Sequence, residues 1–304
     1  MTDDVCNEFS FLAEQAEALG VSGPLPVVTR STLTLPDGRS LSAIRYGEDA
    51  PEVVLLHGAG LNAHTWDATA LALGMPALAI DLAGHGDSSW RDDAAYAPRV
   101  LAGDVVAALG AWTDRPQLIV GHSLGGLTAA AVAASAPELV RALVLVDITP
   151  GVDPDAGPQQ IRAFFAGPTD WGSRDELVER AIAFGLGGDR RAVERGVYLN
   201  SRIRPDGRVE WKHHFAHLAA AAGTDDAGQD DALSTLLAAS GWADLEAVAA
   251  PVTLIRGAAG YVTEADAAEF ARRLPAARTI TVAAHHNVQE ERPAELAELI
   301  RGLR

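Results

Sequence analysis

Short, continuously apolar runs recur along the chain: VVLL at 53–56, PALAID at 76–81, QLIVG at 117–121, ALVLVD at 142–147 and VTLIRG at 252–257, with RTITVA at 278–283 after them. A strand buried on both faces reads this way, because neither set of alternating side chains meets water. Such burial is typical of parallel sheets. Helical stretches lie between most of these runs, at 66–73, 98–113, 124–136, 264–274 and 293–303. Strand and helix in alternation predict an open parallel sheet with helices on both faces.

Three segments depart from that rhythm. Residues 31–35 and 40–46 flank Pro36-Asp37-Gly38, where proline presets φ and glycine accepts a positive one, so a β-hairpin is predicted. Between Asp147 and Pro251 no buried-strand run occurs. Helical patterns take its place: QQIRAFFAG, SRDELVERAIAFGLGG, DRRAVERGVYLNSRI, WKHHFAHLAAAA and ALSTLLAASGWADLEAV. An all-helical insertion between two core strands is expected there, with a turn at Pro205-Asp206-Gly207 and a polar loop at 223–232. Near the N-terminus, Val5, Phe9, Leu12, Ala16 and Leu19 mark one face of a helix that stops at Gly20. Packing against the body is its first reading, and a homodimer contact or a gate over the site are the others.

Composition narrows the function classes. A formal net charge of −17 over 304 residues argues against nucleic-acid partners and against anionic membrane surfaces. The hydrophobic share, 48%, is ample for a large core. A single cysteine, Cys6, permits no internal disulfide and fits a reducing cytoplasm. The opening MTDDVCNEFSFLAEQAEALG is acidic and lacks the basic-then-apolar layout of a signal peptide. No apolar run reaches the roughly 18 residues of a membrane span, so no membrane association is expected.

Candidate chemistry starts at LIVGHSLGGLTAA, residues 118–130. Gly-x-Ser-x-Gly where a buried strand becomes a helix holds a serine in a strained turn with its Oγ exposed. Side chains at Gly121 and Gly125 would collide, and the helix N-terminus behind the serine favours developing negative charge. Ser123 is therefore the candidate nucleophile. The N–H of the next residue, Leu124, is a candidate oxyanion donor. A second should come from His57-Gly58-Ala59-Gly60 after the VVLL strand, since glycines let backbone approach a substrate oxygen. Ala59 is the choice and Gly60 the second. His57 reads as a buried hydrogen-bonding strut.

With VVLLHGAG, DLAGHGDSS, GHSLGG and a late histidine in this order, the chain resembles the α/β-hydrolases over nearly all of residues 30–304. The resemblance implies an α/β fold with an eight-stranded, mostly parallel sheet whose second strand is antiparallel, and a helical cap inserted after strand six. It divides the chain into an N-terminal helix and linker (1–29), a core (30–150 and 243–304) and a cap (151–242). In family order the catalytic base comes last. Aligned back from Asn287 and Pro293, it falls on His286, with His285 at the usual glycine position and therefore the alternative. The acid usually follows strand seven, but there RGAAGYVTEAD has Ala259 or Gly260 at the expected place. Glu264 and Asp266 come next, at a helix start where the dipole favours acids whatever the chemistry. A minority of the family carries the acid at the end of strand six, where this chain has Asp147. Asp147 is assigned, with Glu264, Asp266 and an acid-free site as alternatives. Asp81, His85 and Asp87 in DLAGHGDSS are read as residues that hold their own loop.

The cap segment carries Phe164, Phe165, Trp171, Phe184, Tyr198, Trp211, Phe215 and Trp242, partly for its own core and partly as the roof of an apolar pocket. His213 and His217 are spaced i, i+4, but no Glu-x-x-His or cysteine cluster accompanies them, so no metal is expected. The expectation is a cofactor-free serine hydrolase of a carboxylic ester or lactone of an apolar small molecule. A C–C bond hydrolase of β-diketone or ring-fission type is the alternative, although such relatives usually keep the acid after strand seven. A hydrolase-derived receptor that binds without turnover is the reading from another class. Epoxide hydrolases and dehalogenases use an aspartate nucleophile, and position 123 is serine.

Overall fold

The computed structural model describes residues 7–152, 167–184, 188–221 and 241–303. Its main sheet contains β1 (Val28–Thr34), β2 (Ser40–Tyr46), β3 (Val53–Leu56), β4 (Ala77–Asp81), β5 (Gln117–His122) and β6 (Val140–Val146). The short strands β7 (Asp170–Trp171), β8 (Ser201–Ile203) and β9 (Val209–Trp211) form a separate sheet, and β10 (Val252–Gly257) and β11 (Arg278–Val282) return to the main one. The eight strands stand in the order β1-β2-β4-β3-β5-β6-β10-β11. Strand β2 is antiparallel to both neighbours, and every other pairing is parallel.

The apolar runs work as two-sided strands. In β3, Val54 and Leu56 join one core with Ile119, Leu143, Leu145 and Leu254. Val53 and Leu55 join the opposite core with Leu118, Val120, Val144 and Ile255. Alternation thus sends successive side chains to two faces, and both are covered. On the first face lie α3 (Pro98–Trp112), α4 (Leu124–Ser135), α8 (Gly241–Glu246) and α9 (Glu264–Arg273), through residues such as Leu101, Leu127, Leu245 and Phe270. On the second lie α2 (Asp67–Leu73), α10 (Val288–Glu291) and α11 (Pro293–Arg301), through Ala70, Val288 and Ile300. At the N-terminus, α1 (Leu12–Ala18) buries Leu12 and Ala16 against Leu71, with Phe9, Leu19 and Val28 beside them. Val5 and Cys6 lie outside the described residues.

The hairpin at Pro36-Asp37-Gly38 forms as expected. Gly38 takes φ +86° and Leu35 N–H donates to Arg39 O at 2.7 Å, which turns the chain so that β2 runs against β1. The expectation of an all-helical insertion is corrected. Between β6 and β10 the helices α5 (Arg174–Ala183), α6 (Arg190–Asn200) and α7 (Phe215–Ala221) are joined by a three-stranded antiparallel sheet in the order β7-β9-β8. Its strands are two or three residues long, too short for a periodicity to register. Pro205-Asp206-Gly207 is the turn of its hairpin, with Gly207 at φ +82° and Arg204 N–H donating to Arg208 O at 2.8 Å. Val209 and Trp211 face the insertion's own core, while Arg202 pairs with Glu210 across the strands at 2.7 Å. The polar loop at 223–232 and Phe164 and Phe165 lie outside the described residues. No helix among the described residues is long and apolar enough to cross a membrane.

Connections make β3 and β5 the switch point. From β3 the chain crosses outward to β4, then returns past β3 to β5 and moves the other way through β6, β10 and β11. In open α/β sheets the crevice at the strand C-termini beside such a reversal is the usual ligand site.

A partly buried ionic network fastens the N-terminal segment to this end of the sheet. Arg30 donates to Glu8 Oε1 at 2.9 Å, to Asp81 Oδ2 at 2.9 Å and to Ser42 Oγ at 2.6 Å. His64 lies 3.0 Å from Asp67 and 3.2 Å from Glu8. Burial depresses the His64 imidazole, but Asp67 and Glu8 outweigh it and raise its pKa from 6.5 to about 9. A group whose folded pKa is raised adds stability that is complete below its unfolded pKa and disappears as pH climbs through the folded one. The gap in melting temperature between the wild type and His64→Gln should therefore be widest below pH 6.5 and close as pH rises through about 9. A gap independent of pH across that window would refute the assignment.

Candidate active site

Strand β5 ends at His122 and α4 begins at Leu124, so Ser123 alone makes the junction. Its φ of 51° and ψ of −121° fall in a region that costs a residue with a side chain on the order of 1–3 kcal/mol. Close packing enforces the turn. A Cβ on Gly121 would stand 2.3 Å from Gly125 O, and one on Gly125 would stand 2.3 Å from Leu56 O. The collision expected from the sequence is thus a backbone one, with the first turn of α4 resting on β3 and β5. Gly126 and Leu127 donate their N–H groups to Ser123 O at 2.8 and 3.2 Å. Among the described residues the Leu124 N–H has no acceptor. It stands free at the positive end of the helix.

The loop after β3 lies against this turn. A Cβ on Gly58 would come within 3.1 Å of Ser123 Cβ and 2.7 Å of His122 Nδ1. Leu61 N–H donates to Gly58 O at 3.2 Å and Gly60 sits at φ +73°, the third-position conformation of a type II turn. The Ala59 N–H, inside that turn, also lacks an acceptor among the described residues. His57 is fully buried and acts as the strut. Leu82 N–H donates to its Nε2 at 3.0 Å, so the proton sits on Nδ1, which donates to Gly58 O at 2.8 Å. Burial lowers its pKa and keeps it neutral.

Asp147 and His286 are brought together from strands β6 and β11. His286 Nδ1 donates to Asp147 Oδ2 at 2.8 Å. The Asp147 carboxylate is fully buried and takes two more bonds, from Gly257 N–H on Oδ1 at 2.9 Å and Tyr261 N–H on Oδ2 at 2.7 Å. The Tyr261 ring stacks on the His286 imidazole, with centroids 3.7 Å apart and planes 16° from parallel. His122, neutral because burial drives its pKa down, donates from Nε2 to His286 O at 3.1 Å and ties the histidine loop to the residue before Ser123. No hydrogen bond joins Ser123 to His286 in this structure. Such bonds are often long without substrate and tighten on binding.

The alternatives occupy other posts. His285 is mostly exposed and pairs with Glu291 at 3.0 Å. Asp266 forms a capping box with Thr263 at the start of α9, and the exposed Glu264 pairs with Arg256 at 2.5 Å. Asp81 holds its loop as expected, accepting from Arg30, from Ala63 N–H at 2.7 Å and from Asp87 N–H at 3.1 Å. His85 lies 3.1 Å from Ala83 O, and Asp87 pairs with Lys212 at 2.9 Å.

Sequence reasoning missed Tyr261 and misread its neighbour. A Cβ on Gly260 would stand 2.2 Å from Asp147 Oδ2. The glycine where a carboxylate was sought is the space that the Asp147 carboxylate fills. That glycine, paired with an aspartate closing the neighbouring strand, was the available signal.

Of the insertion's aromatic residues, Trp171 and Trp211 belong to its own core. Phe215, Leu218 and Trp242 instead pack, partly buried, on the core group that contains Leu124, as do Ala59 and Tyr261. His213 is buried beside Trp211, and burial lowers its pKa to about 3. His214 stacks on Trp90 at 4.5 Å and meets Tyr96 Oη at 2.7 Å. Among the described residues no three metal-ligating side chains converge.

Comparison with known proteins places the fold. A family model described as alpha/beta hydrolase matches residues 53–299. The esterase Rv0045c of Mycobacterium tuberculosis is 38% identical over 306 aligned positions, which cover 98% of this chain and 95% of the relative. A solved structure of that esterase superposes with a TM-score of 0.81 at 38% identity over 98% of this chain and 99% of its own. A pimeloyl-[acyl-carrier protein] methyl ester esterase of Aeromonas hydrophila is 32% identical over 171 positions, covering 50% of this chain and 60% of the relative.

Gly260→Ala tests the packing around Asp147. It should cost about 1–3 kcal/mol of stability by overpacking. It should also displace the carboxylate, so that the downfield proton signal of His286 Nδ1–H is lost while that of His57 persists. An unchanged His286 signal in the folded variant would show that Asp147 does not need the space.

Proposed function

The chain belongs to the alpha/beta hydrolase family and is a carboxylic ester hydrolase, and from that premise we propose that Ser123, His286 and Asp147 are its catalytic residues, acting through an acyl-enzyme on an ester or lactone of an apolar small molecule. The observation that carries this reading is the 2.8 Å bond from His286 Nδ1 to the buried Asp147. It fixes the imidazole so that Nε2 is the nitrogen left to exchange a proton.

Ser123 Oγ attacks the ester carbonyl carbon and its proton passes to His286 Nε2. The carbonyl oxygen becomes an oxyanion, which the free N–H groups of Leu124 and Ala59 stabilise. Asp147 stabilises the imidazolium without taking its proton. As the tetrahedral intermediate collapses, the bond to the alcohol oxygen breaks and His286 protonates the leaving alcohol. Water, deprotonated by His286, then attacks acyl-Ser123 through a second oxyanion; as this collapses the bond from the acyl carbon to Ser123 Oγ breaks, His286 returns the proton to Oγ, and the carboxylic acid leaves. No cofactor is needed for any step.

Preference for an apolar substrate is supported by Tyr261, whose ring stacks on His286, and by Ala59 in the loop that lies against Ser123. In this reading the insertion, 151–242, is a cap over the acyl or alcohol group. A net charge of −17 and a lone cysteine fit a cytoplasmic enzyme.

A small fluorophosphonate traps an activated serine whatever the substrate. Intact-mass analysis should find one adduct on Ser123, absent from Ser123→Ala. Turnover in Ser123→Ala should fall to the residual left by the oxyanion donors, and Asp147→Asn should lose on the order of 10⁴-fold in kcat. Wild-type rates in either variant would sink the assignment of that residue.

A further inference from the structure

The loop that offers the Ala59 N–H is held from outside the sheet as well as from within it. On its inner side the turn Gly58–Leu61 closes through Leu61 N–H on Gly58 O. On its outer side two asparagines join it to the insertion. Asn200, the last residue of α6, donates from Nδ2 to Gly60 O at 2.7 Å. Asn62 donates from Nδ2 to Leu199 O at 3.1 Å and to Asn200 Oδ1 at 3.2 Å. Asn62 Oδ1 accepts from His64 N–H at 3.0 Å and caps the turn Ala63–Trp66. Asn62 is almost wholly buried, so each of these bonds replaces water that cannot reach it.

Gly60, at φ +73°, is the residue of this turn in the left-handed region, which glycine enters without a Cβ penalty. Its carbonyl is the group that Asn200 holds. We propose that Asn200 is a positioning residue for catalysis: through Gly60 O it sets where the Ala59 N–H stands, so the insertion aligns one of the two oxyanion donors. The proposal rests on the reading of Ser123 as nucleophile and of Ala59 and Leu124 as donors. It gives the insertion a part in transition-state stabilisation separate from substrate binding. Loss of the bond weakens interactions made with the oxyanion and spares those made with the ground state.

Asn200→Asp keeps the volume and removes the donor, and Asn200→Ala removes the whole group should the first variant not fold. With an activated aryl ester, kcat should fall about tenfold or more while KM stays within about twofold. Affinity for a trifluoromethyl ketone, which forms an oxyanionic hemiketal on a serine, should fall by the same factor as kcat/KM. In Asn200→Ala, which adds no charge, the fall in kcat and in ketone affinity should persist and the pH profile should not move, because the His286–Asp147 pair is untouched. A contact that only docks the insertion would change melting temperature or KM and leave kcat and ketone affinity within about twofold of wild type, and that result overturns the proposal. Ser123→Ala is assayed alongside. If it is inactive while the Asn200 variants are normal, only the role of Asn200 fails. If it turns over like the wild type, the nucleophile reading fails and this proposal with it.

Discussion

The arrangement around Ser123 depends on one buried carboxylate. Asp147 is fully buried at the end of β6, and an ionised group there must be met by donors on every side. Two of them, the N–H groups of Gly257 and Tyr261, come from β10 and the loop after it, and the third is His286 Nδ1. Satisfying this carboxylate therefore fixes three neighbouring strand ends relative to one another. Gly260 leaves the space it occupies, and Tyr261 both feeds it a hydrogen bond and covers the face of the imidazole. The ring is held at its Nδ1 corner and on one face.

A second constraint is steric and acts at Ser123. The first turn of α4 approaches β3 so closely that Gly121 and Gly125 leave no room for a Cβ. That contact gives the serine its strained backbone and leaves the Leu124 N–H at the helix start without a partner among the described residues. It also brings the loop after β3 to the same point. The insertion then reaches both sides of the crevice. Asn200 and Asn62 link it to the loop after β3, and His214 links it to Gly84, Trp90 and Tyr96 in and beyond the loop after β4. Through these contacts the insertion is fastened to the loops after β3 and β4 at once.

Much of this was written locally in the chain. Doubly buried strands need apolar residues on both faces, so VVLL, QLIVG and ALVLVD announce themselves without alternation, and the order of strands and helices follows from them. Ser123, His57 and the hairpin at Pro36-Asp37-Gly38 were legible because each is fixed by neighbours a few residues away. The small sheet of the insertion was not, because strands of two or three residues carry no period. Its turn at Pro205-Asp206-Gly207 could be read while the pairing it closes could not.

Local sequence by itself determined the sheet, the elbow that bears Ser123 and the candidates on each strand end, since backbone sterics and hydrophobic period act over a few residues. Tertiary structure decided the rest. Asp147 and His286 are 139 positions apart, and Asn62 and Asn200 are 138 apart. Only the packing of β6 against β10 shows that the space left open at Gly260 is filled by the Asp147 carboxylate. A carboxylate's partners are chosen by what lies within about 3 Å of it in space, and separation along the chain carries no record of that distance.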